Sequence, residues 1–165
     1  MLDHFATMAR YNAWANTRLL AAARAMGDDY RAETGAFFRT MHGTLNHILV
    51  ADRIWMHRFT GDGPTYDRLD AEPCATFDEL RAARDAEDRR IRTYIGALDE
   101  DALGGTFTYS RVSEPGTPIT QALAPALAHL FNHQTHHRGQ AHTILTTLGH
   151  DAPAMDLVFY TREAA

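Results

Sequence analysis

Apolar side chains recur at helical spacing through four long stretches of the 165-residue chain. From about Asp3 to Met26 the repeat runs through Phe5, Met8, Ala9, Ala15, Leu19, Leu20 and Ala23, and Gly27-Asp28-Asp29 ends it. A second stretch, from about Ala36 to Phe59, sets Phe37, Met41, Leu45, Ile48, Trp55 and Phe59 on one broad stripe before Gly61-Asp62-Gly63-Pro64. Thr76 opens the third with a capping box to Glu79. Phe77, Leu80, Ile91, Tyr94, Ile95 and Leu98 follow, and the charged residues between Arg81 and Arg90 read as a solvated face.

The period changes after Leu103. Thr106-Phe107-Thr108-Tyr109 followed by Glu114-Pro115-Gly116-Thr117 predicts a short strand and turn, a small hairpin capping one end. Thr117-Pro118 then supplies an N-cap and a proline near the first helical position, so a fourth helix is expected to run from there to Leu148. Pro125 within that span marks either a kink or a later start. The tail from Asp151, with Leu157, Val158, Phe159 and Tyr160, is expected to pack back as an extended or short helical segment. With no repeat or linker, the pattern predicts one all-α domain over residues 1–165: an antiparallel four-helix bundle with a small β-hairpin between the third and fourth helices.

Composition removes several chemistries. The chain has no lysine, a single cysteine, two serines and ten histidines. Lysine Schiff bases, P-loop lysines, internal disulfides and cysteine-rich zinc knuckles are therefore excluded. Neither Ser110 nor Ser113 lies in a nucleophile elbow. A formal charge of −5 with scattered arginines argues against nucleic-acid binding. No apolar run approaches membrane-spanning length and no segment near Met1 reads as a secretory leader, so the expectation is a cytoplasmic protein away from membranes.

Histidine remains as the carrier of chemistry. Helical phase sorts the five in the fourth helix: with His133 at zero, the apolar face lies at about 20° to 120° and His137 at about 40°. His136, His129 and His142 fall at about −60°, −40° and 180°, on the surface. Only His133 and His137 face inward, one helical turn apart, as a pair able to share a metal ion. The segment reads His133-Gln134-Thr135-His136-His137, so the glutamate base of H-E-x-x-H metalloproteases is absent. His47, midway along the second helix, is the best candidate for a third ligand, although it lies about 100° from the centre of its own apolar stripe.

Tyr11-Asn12-Ala13-Trp14-Ala15-Asn16, Asn46-His47-Ile48-Leu49-Val50-Ala51-Asp52 with Trp55, Asn132-His133-Gln134-Thr135-His136-His137-Arg138-Gly139-Gln140, and the closing Asp156-Leu157-Val158-Phe159-Tyr160 together resemble the successive signatures of the DinB family. The resemblance spans nearly the whole chain. It implies the DinB/YfiT-like four-helix bundle, a homodimer, and one divalent metal held by three histidines, which fall here on His47, His133 and His137. It also implies a small-molecule substrate, since relatives include thiol-dependent transferases and an isomerase that use bacillithiol, mycothiol or glutathione. The family name records induction by DNA damage and implies no DNA binding.

Three neutral imidazoles leave a divalent ion its full charge and open positions. Zinc so held brings a bound water to a pKa of about 7, and a coordinated thiol is deprotonated, so hydrolysis and thiol transfer are both accessible. Zinc or nickel is the expected ion, with iron and copper also compatible with imidazole. The alternative is a non-catalytic metal-binding or ligand-binding stress-response protein that acts as a dimer. Among other residues, Tyr11, Asn12 and Trp14 read as a core corner with satisfied polar groups, Asn46 as either that or a site residue, and Arg138 as packing or pairing at a helix interface. Gly139 is expected to permit close helix approach, and Gln140, near −20°, to face the site. His4, His42, His57 and His150 belong to no constellation, and Cys74 has no neighbouring histidine in sequence.

Overall fold

A computed structural model describes residues 1–164. Helix α1 (Leu2–Ala25) ends in a 3-10 turn, Gly27–Arg31; α2 (Met41–Thr60) and α3 (Phe77–Gly96) follow, then the short α4 (Glu100–Gly104), strands β1 (Thr106–Arg111) and β2 (Glu114–Ala122), α5 (Leu123–Thr147) and α6 (Leu157–Glu163). The four long helices form the expected bundle. In chain order, α1 and α5 pass from one apolar cluster to the other in one direction, while α2 and α3 pass in the reverse direction. The segment 61–76 is therefore a crossover that travels back along the length of α2, about 30 Å.

The core is built in three levels. At one end, Leu19, Ala23, Met41, Leu45, Ile48, Leu80, Ile144 and Leu145 pack together; at the other, Phe5, Ala9, Met56, Ile91, Ile95, Leu127 and Phe131 do so. Between them every long helix contributes buried polar groups: Asn12 and Asn16 from α1, Asp52 from α2, Arg84 and Asp88 from α3, Gln134 and Arg138 from α5. Arg84 donates to Asp52 at 2.5 Å and lies 3.0 Å from Asp88; both asparagine amides donate to Asp88, at 3.1 and 3.0 Å; Arg138 donates to Asn12. The expected solvated face on α3 is thus corrected at Arg84, Glu87 and Asp88, which are buried. They continue the helix's inward stripe from Leu80 to Ile91, and other helices supply the partners that make burying their charges tolerable.

Other boundaries follow local chemistry. The capping box at Thr76 and Glu79 is present in full. Helix α2 begins at Met41, not near Ala36, because Thr40 is its N-cap and accepts from the Gly43 amide at 2.9 Å. Phe37, expected on the core stripe, is 80% exposed in the preceding turn. Thr117 and Pro118 lie within β2 and do not cap a helix. Pro118 faces Ser110 where the antiparallel register becomes irregular, and in a two-stranded sheet both strands are edges, so its missing N–H costs little. Helix α5 starts at Leu123 with Pro125 in its first turn, where no intrahelical donor is needed. Gly139 also departs from expectation: nothing lies within 4 Å of a Cβ added there, so it permits no close helix approach.

The tail packs back as a short helix. Tyr11 Oη donates to the Met155 carbonyl at 2.7 Å and Trp14 Nε1 to Glu163 at 2.8 Å, so the corner around Tyr11 and Trp14 is a satisfied structural contact. Among the described residues no helix is long and apolar enough to cross a membrane.

Removing one partner from the buried layer leaves uncompensated charge. Arg84→Met is expected to cost about 3–5 kcal/mol in urea unfolding. Arg24→Met, which removes an exposed pair with Asp78 and a contact 5.4 Å over the Phe77 ring, is expected to cost about 1 kcal/mol. Equal costs would refute the buried layer's structural weight.

Candidate metal centre

The three candidate ligands converge at the level of the polar layer. His47 comes from the middle of α2; His133 and His137 come from consecutive turns of α5, where the i, i+4 step aligns their rings. One ring nitrogen from each lies within 4.8 Å of the others. His47 and His137 are buried at 3% and 7% exposure, which keeps competing water from two of the three rings.

Hydrogen bonding sets the tautomers. His47 Nδ1 donates to the Leu69 carbonyl at 2.8 Å and His137 Nδ1 to Gln140 Oε1 at 2.8 Å, so each Nε2 carries a lone pair. Those two Nε2 atoms face one another at 3.1 Å. Two lone pairs directed at each other repel unless a cation or proton lies between them. The separation is close to the about 3.3 Å expected between two imidazole nitrogens on one tetrahedral zinc. His133 Nδ1 is buried with no hydrogen-bond partner among the described residues. The donor set therefore fits a divalent ion.

Burial also favours the neutral, ligand-competent rings. It lowers the His47 pKa to about 4, with the Leu69 carbonyl opposing and His137 assisting. His133 falls to about 3 through burial and the neighbouring imidazoles. His137 is likewise lowered by burial, against the opposing pull of Gln140.

The supporting shell comes from segments distant in sequence. Phe38 stacks on His47 with centroids 3.8 Å apart and planes 17° from parallel. Its carbonyl lies so close to Gly43 that a Cβ there would collide with it, which explains a glycine in the first turn of α2. Next to Phe38, Arg39 takes a left-handed backbone conformation with φ 64°. Asn46 clamps the crossover by accepting from the Cys74 amide at 3.1 Å and donating to its carbonyl at 3.4 Å. The same crossover delivers the Leu69 carbonyl to His47. His42, which the sequence placed in no constellation, is buried and bonds Tyr30 Oη at 3.0 Å and Asn46 at 3.2 Å.

His129 and His136 are surface residues, as expected, yet they border the centre. The His136 ring lies 4.8 Å from that of His137 and the His129 ring 5.8 Å from that of His133. Gln140 faces the site as predicted and also lines a cavity of about 400 Å³ with Thr34, Phe37, Thr143, Ile144 and Thr147. The histidines do not line that cavity; the link is Gln140 alone. Arg138 serves the helix interface. Cys74 is buried, which raises its thiol pKa and makes it a poor nucleophile.

The model of the DinB family matches residues 1–165. The chain belongs to the DinB family. It is also similar to Protein DinB of Bacillus subtilis (strain 168), at 24% identity over 166 residues, covering 97% of this chain and 95% of that relative. The DinB signature positions noted in the sequence divide by role in the fold. His47, His133 and His137 form the cluster, whereas Asn12, Asn16, Asp52, Gln134 and Arg138 build the layer behind it.

Phe38, Leu69 and the Asp52–Arg84 pair were not read from the sequence as parts of the site. For Phe38 a signal existed: Thr40 with Gly43 three residues later marks the true start of α2 and leaves Phe38 in a turn. For Leu69 there was none, because the contact uses its backbone carbonyl.

Acid stability follows from the lowered histidine pKa values. Unfolded rings titrate near 6.5, and folded His47 and His133 only at about 4 and about 3. The unfolded chain then binds more protons, so this contribution is full above pH 6.5 and is lost as pH falls toward those folded values. Thermal melts of metal-free protein are expected to show a steady fall in Tm on acidification through this window, with a shallower fall for the His47→Gln/His133→Gln double variant. Equal slopes would contradict the reading.

Proposed function

We propose that this DinB-family protein is a metal-dependent enzyme in which His47, His133 and His137 hold one divalent ion, zinc or nickel, and which acts on a small molecule by hydrolysis or by transfer of a low-molecular-weight thiol. The observation that carries the proposal is the pair of facing Nε2 atoms, each with its Nδ1 proton committed to a carbonyl oxygen. When bound, such an ion supplies Lewis acidity that lowers the pKa of a water or thiol coordinated to it.

The chain's own residues define the rest. Leu69 and Gln140 hold the His47 and His137 rings in one tautomer and orientation. Phe38 covers His47 and excludes water from that side. His133 is only half-buried, so the approach for substrate lies on its side of the cluster, between the exposed His129 and His136. Cys74 is buried, and both serines belong to the hairpin segment and not to the cluster, so the nucleophile is an external water or thiol. We also propose a homodimer, supported by the exposed apolar run Leu157, Val158 and Phe159 on α6.

Purified protein is expected to bind one equivalent of zinc or nickel by elemental analysis and calorimetry, and His133→Ala and His137→Ala to lose it. Stoichiometric metal retained in both variants would sink the site. Gln140→Leu, which frees the His137 ring while sparing all three ligands, is expected to weaken metal affinity by about 10–100-fold. Metal-dependent turnover with a thiol and a panel of electrophiles, or with hydrolysable esters and amides, distinguishes the enzyme from a non-catalytic metal-binding protein.

A further inference from the structure

Beyond the histidine cluster, the largest of the described cavities, about 820 Å³, lies between the last turns of α2, the start of the crossover and the hairpin, with His57, Arg58, Tyr66, Tyr109 and Arg111 in its wall. Arg58 is unusual among the arginines. Arg18, Arg24, Arg39, Arg53, Arg68, Arg84, Arg90 and Arg111 each lie near a carboxylate, and buried Arg138 is embedded in the Asn12/Asp88 layer. Arg10, Arg31, Arg81, Arg89, Arg92 and Arg162 also lack a carboxylate partner but are exposed, so among the described residues Arg58 is the one half-buried arginine that pairs with no carboxylate.

Its guanidinium sits instead in an aromatic corner, 4.5 Å from the Trp55 ring and 4.4 Å from the Tyr109 ring, and donates one bond to the Ser110 carbonyl at 3.2 Å. The two rings are 5.4 Å apart and tilted by 59°, which fixes the side chain in place. Burial pulls the Arg58 pKa below its ordinary value, yet a guanidinium remains charged at neutral pH. The protein thus carries a preorganised, partly desolvated cation on a cavity wall, with donors to spare and no carboxylate among the described residues within ion-pairing distance.

We propose that this cavity is a carboxylate-binding subsite in which Arg58 receives the carboxylate of a small organic acid. A planar guanidinium whose position is already fixed matches a carboxylate in charge and shape and loses little entropy on pairing. A phosphate dianion calls for a second desolvated cation, and Arg111, the other arginine of the wall, is exposed to solvent, which screens its charge and that of its neighbour Glu114 at 3.8 Å. Asp67, the acidic residue of the wall, is exposed and screened by water.

The subsite stands apart from the metal centre proposed above: the Trp55 and His129 rings, 5.0 Å apart, pack between the two, the His129 ring lies 5.8 Å from that of His133, and none of the three is in the cavity wall.

The test uses succinate as probe, with neutral succinamide and inorganic phosphate as comparisons, at constant ionic strength. The chain has two tryptophans, so Trp14→Phe leaves Trp55 as the only indole and its fluorescence as the readout. Succinate is expected to give a saturable change, succinamide none, and phosphate an affinity at least about tenfold weaker. Arg58→Gln is expected to weaken succinate by at least about tenfold and Arg58→Lys to retain part of the binding, because a point charge keeps attraction but not the planar fork. No saturable response, equal responses to succinate and succinamide, tighter binding of phosphate, or undiminished binding by folded Arg58→Gln would each overturn the proposal. If Arg58→Gln does not fold, the comparison of succinate with succinamide on the unsubstituted position decides. The same titration in His137→Ala separates the two readings: loss of the metal with retained succinate binding supports both and shows that the subsite does not depend on the ion, whereas retained metal counts against the metal centre alone.

Discussion

A charged layer in the middle of a four-helix bundle imposes a severe constraint, because each buried ion must find its partners or cost several kcal/mol. Here Arg84 lies between Asp52 and Asp88, Asp88 accepts from Asn12 and Asn16, and Arg138 reaches Asn12. Burial raises the Asp52 pKa to about 6, against the pull of Arg84, while Arg84 itself is held firmly charged by the acids around it. Apolar side chains can slide past one another with modest loss, whereas the directed bonds of this layer, which still leave Asp52 Oδ1, Arg84 Nε and the Gln134 amide without hydrogen-bond partners among the described residues, tie the four helices to one axial register. The two apolar clusters above and below it are held in that register.

The histidine cluster inherits its geometry from the layer. His133 and His137 flank Gln134 and precede Arg138 on α5, and His47 stands about one turn from Asp52 on α2. Once Arg138 and Asp52 are locked against their partners, the sister faces of the same helices bring the three imidazoles together. Loops then refine what the helices place. The turn before α2 lays Phe38 on His47, and the crossover, clamped by Asn46, brings in the Leu69 carbonyl. Preorganisation of this kind is what a metal site requires, since ligands already oriented need not be ordered when the ion binds. At the far end of α2, the aromatic corner that fixes Arg58 extends the same logic to an anion.

Periodicity in the chain was enough to determine four helices, the hairpin between the third and fourth, and the inward facing of His133 and His137, because these depend on spacings within a single element. Motif resemblance added His47, whose angular position on α2 was weak evidence taken alone. Tertiary structure decided what lies between elements. Arg84, Glu87 and Asp88 look like a solvated face until α1 and α2 supply partners, and then they become the core. Phe37 and Phe38 are adjacent aromatics in the chain, and only the turn closing onto Gly43 selects which one covers His47. Thr117 and Pro118 carry every local sign of a helix start, yet pairing with β1 places them in a strand. Local spacing specifies which face a side chain takes on its own helix, but whether a charge is solvated or buried, and which carbonyl orients a histidine, depends on neighbours brought together from distant parts of the chain.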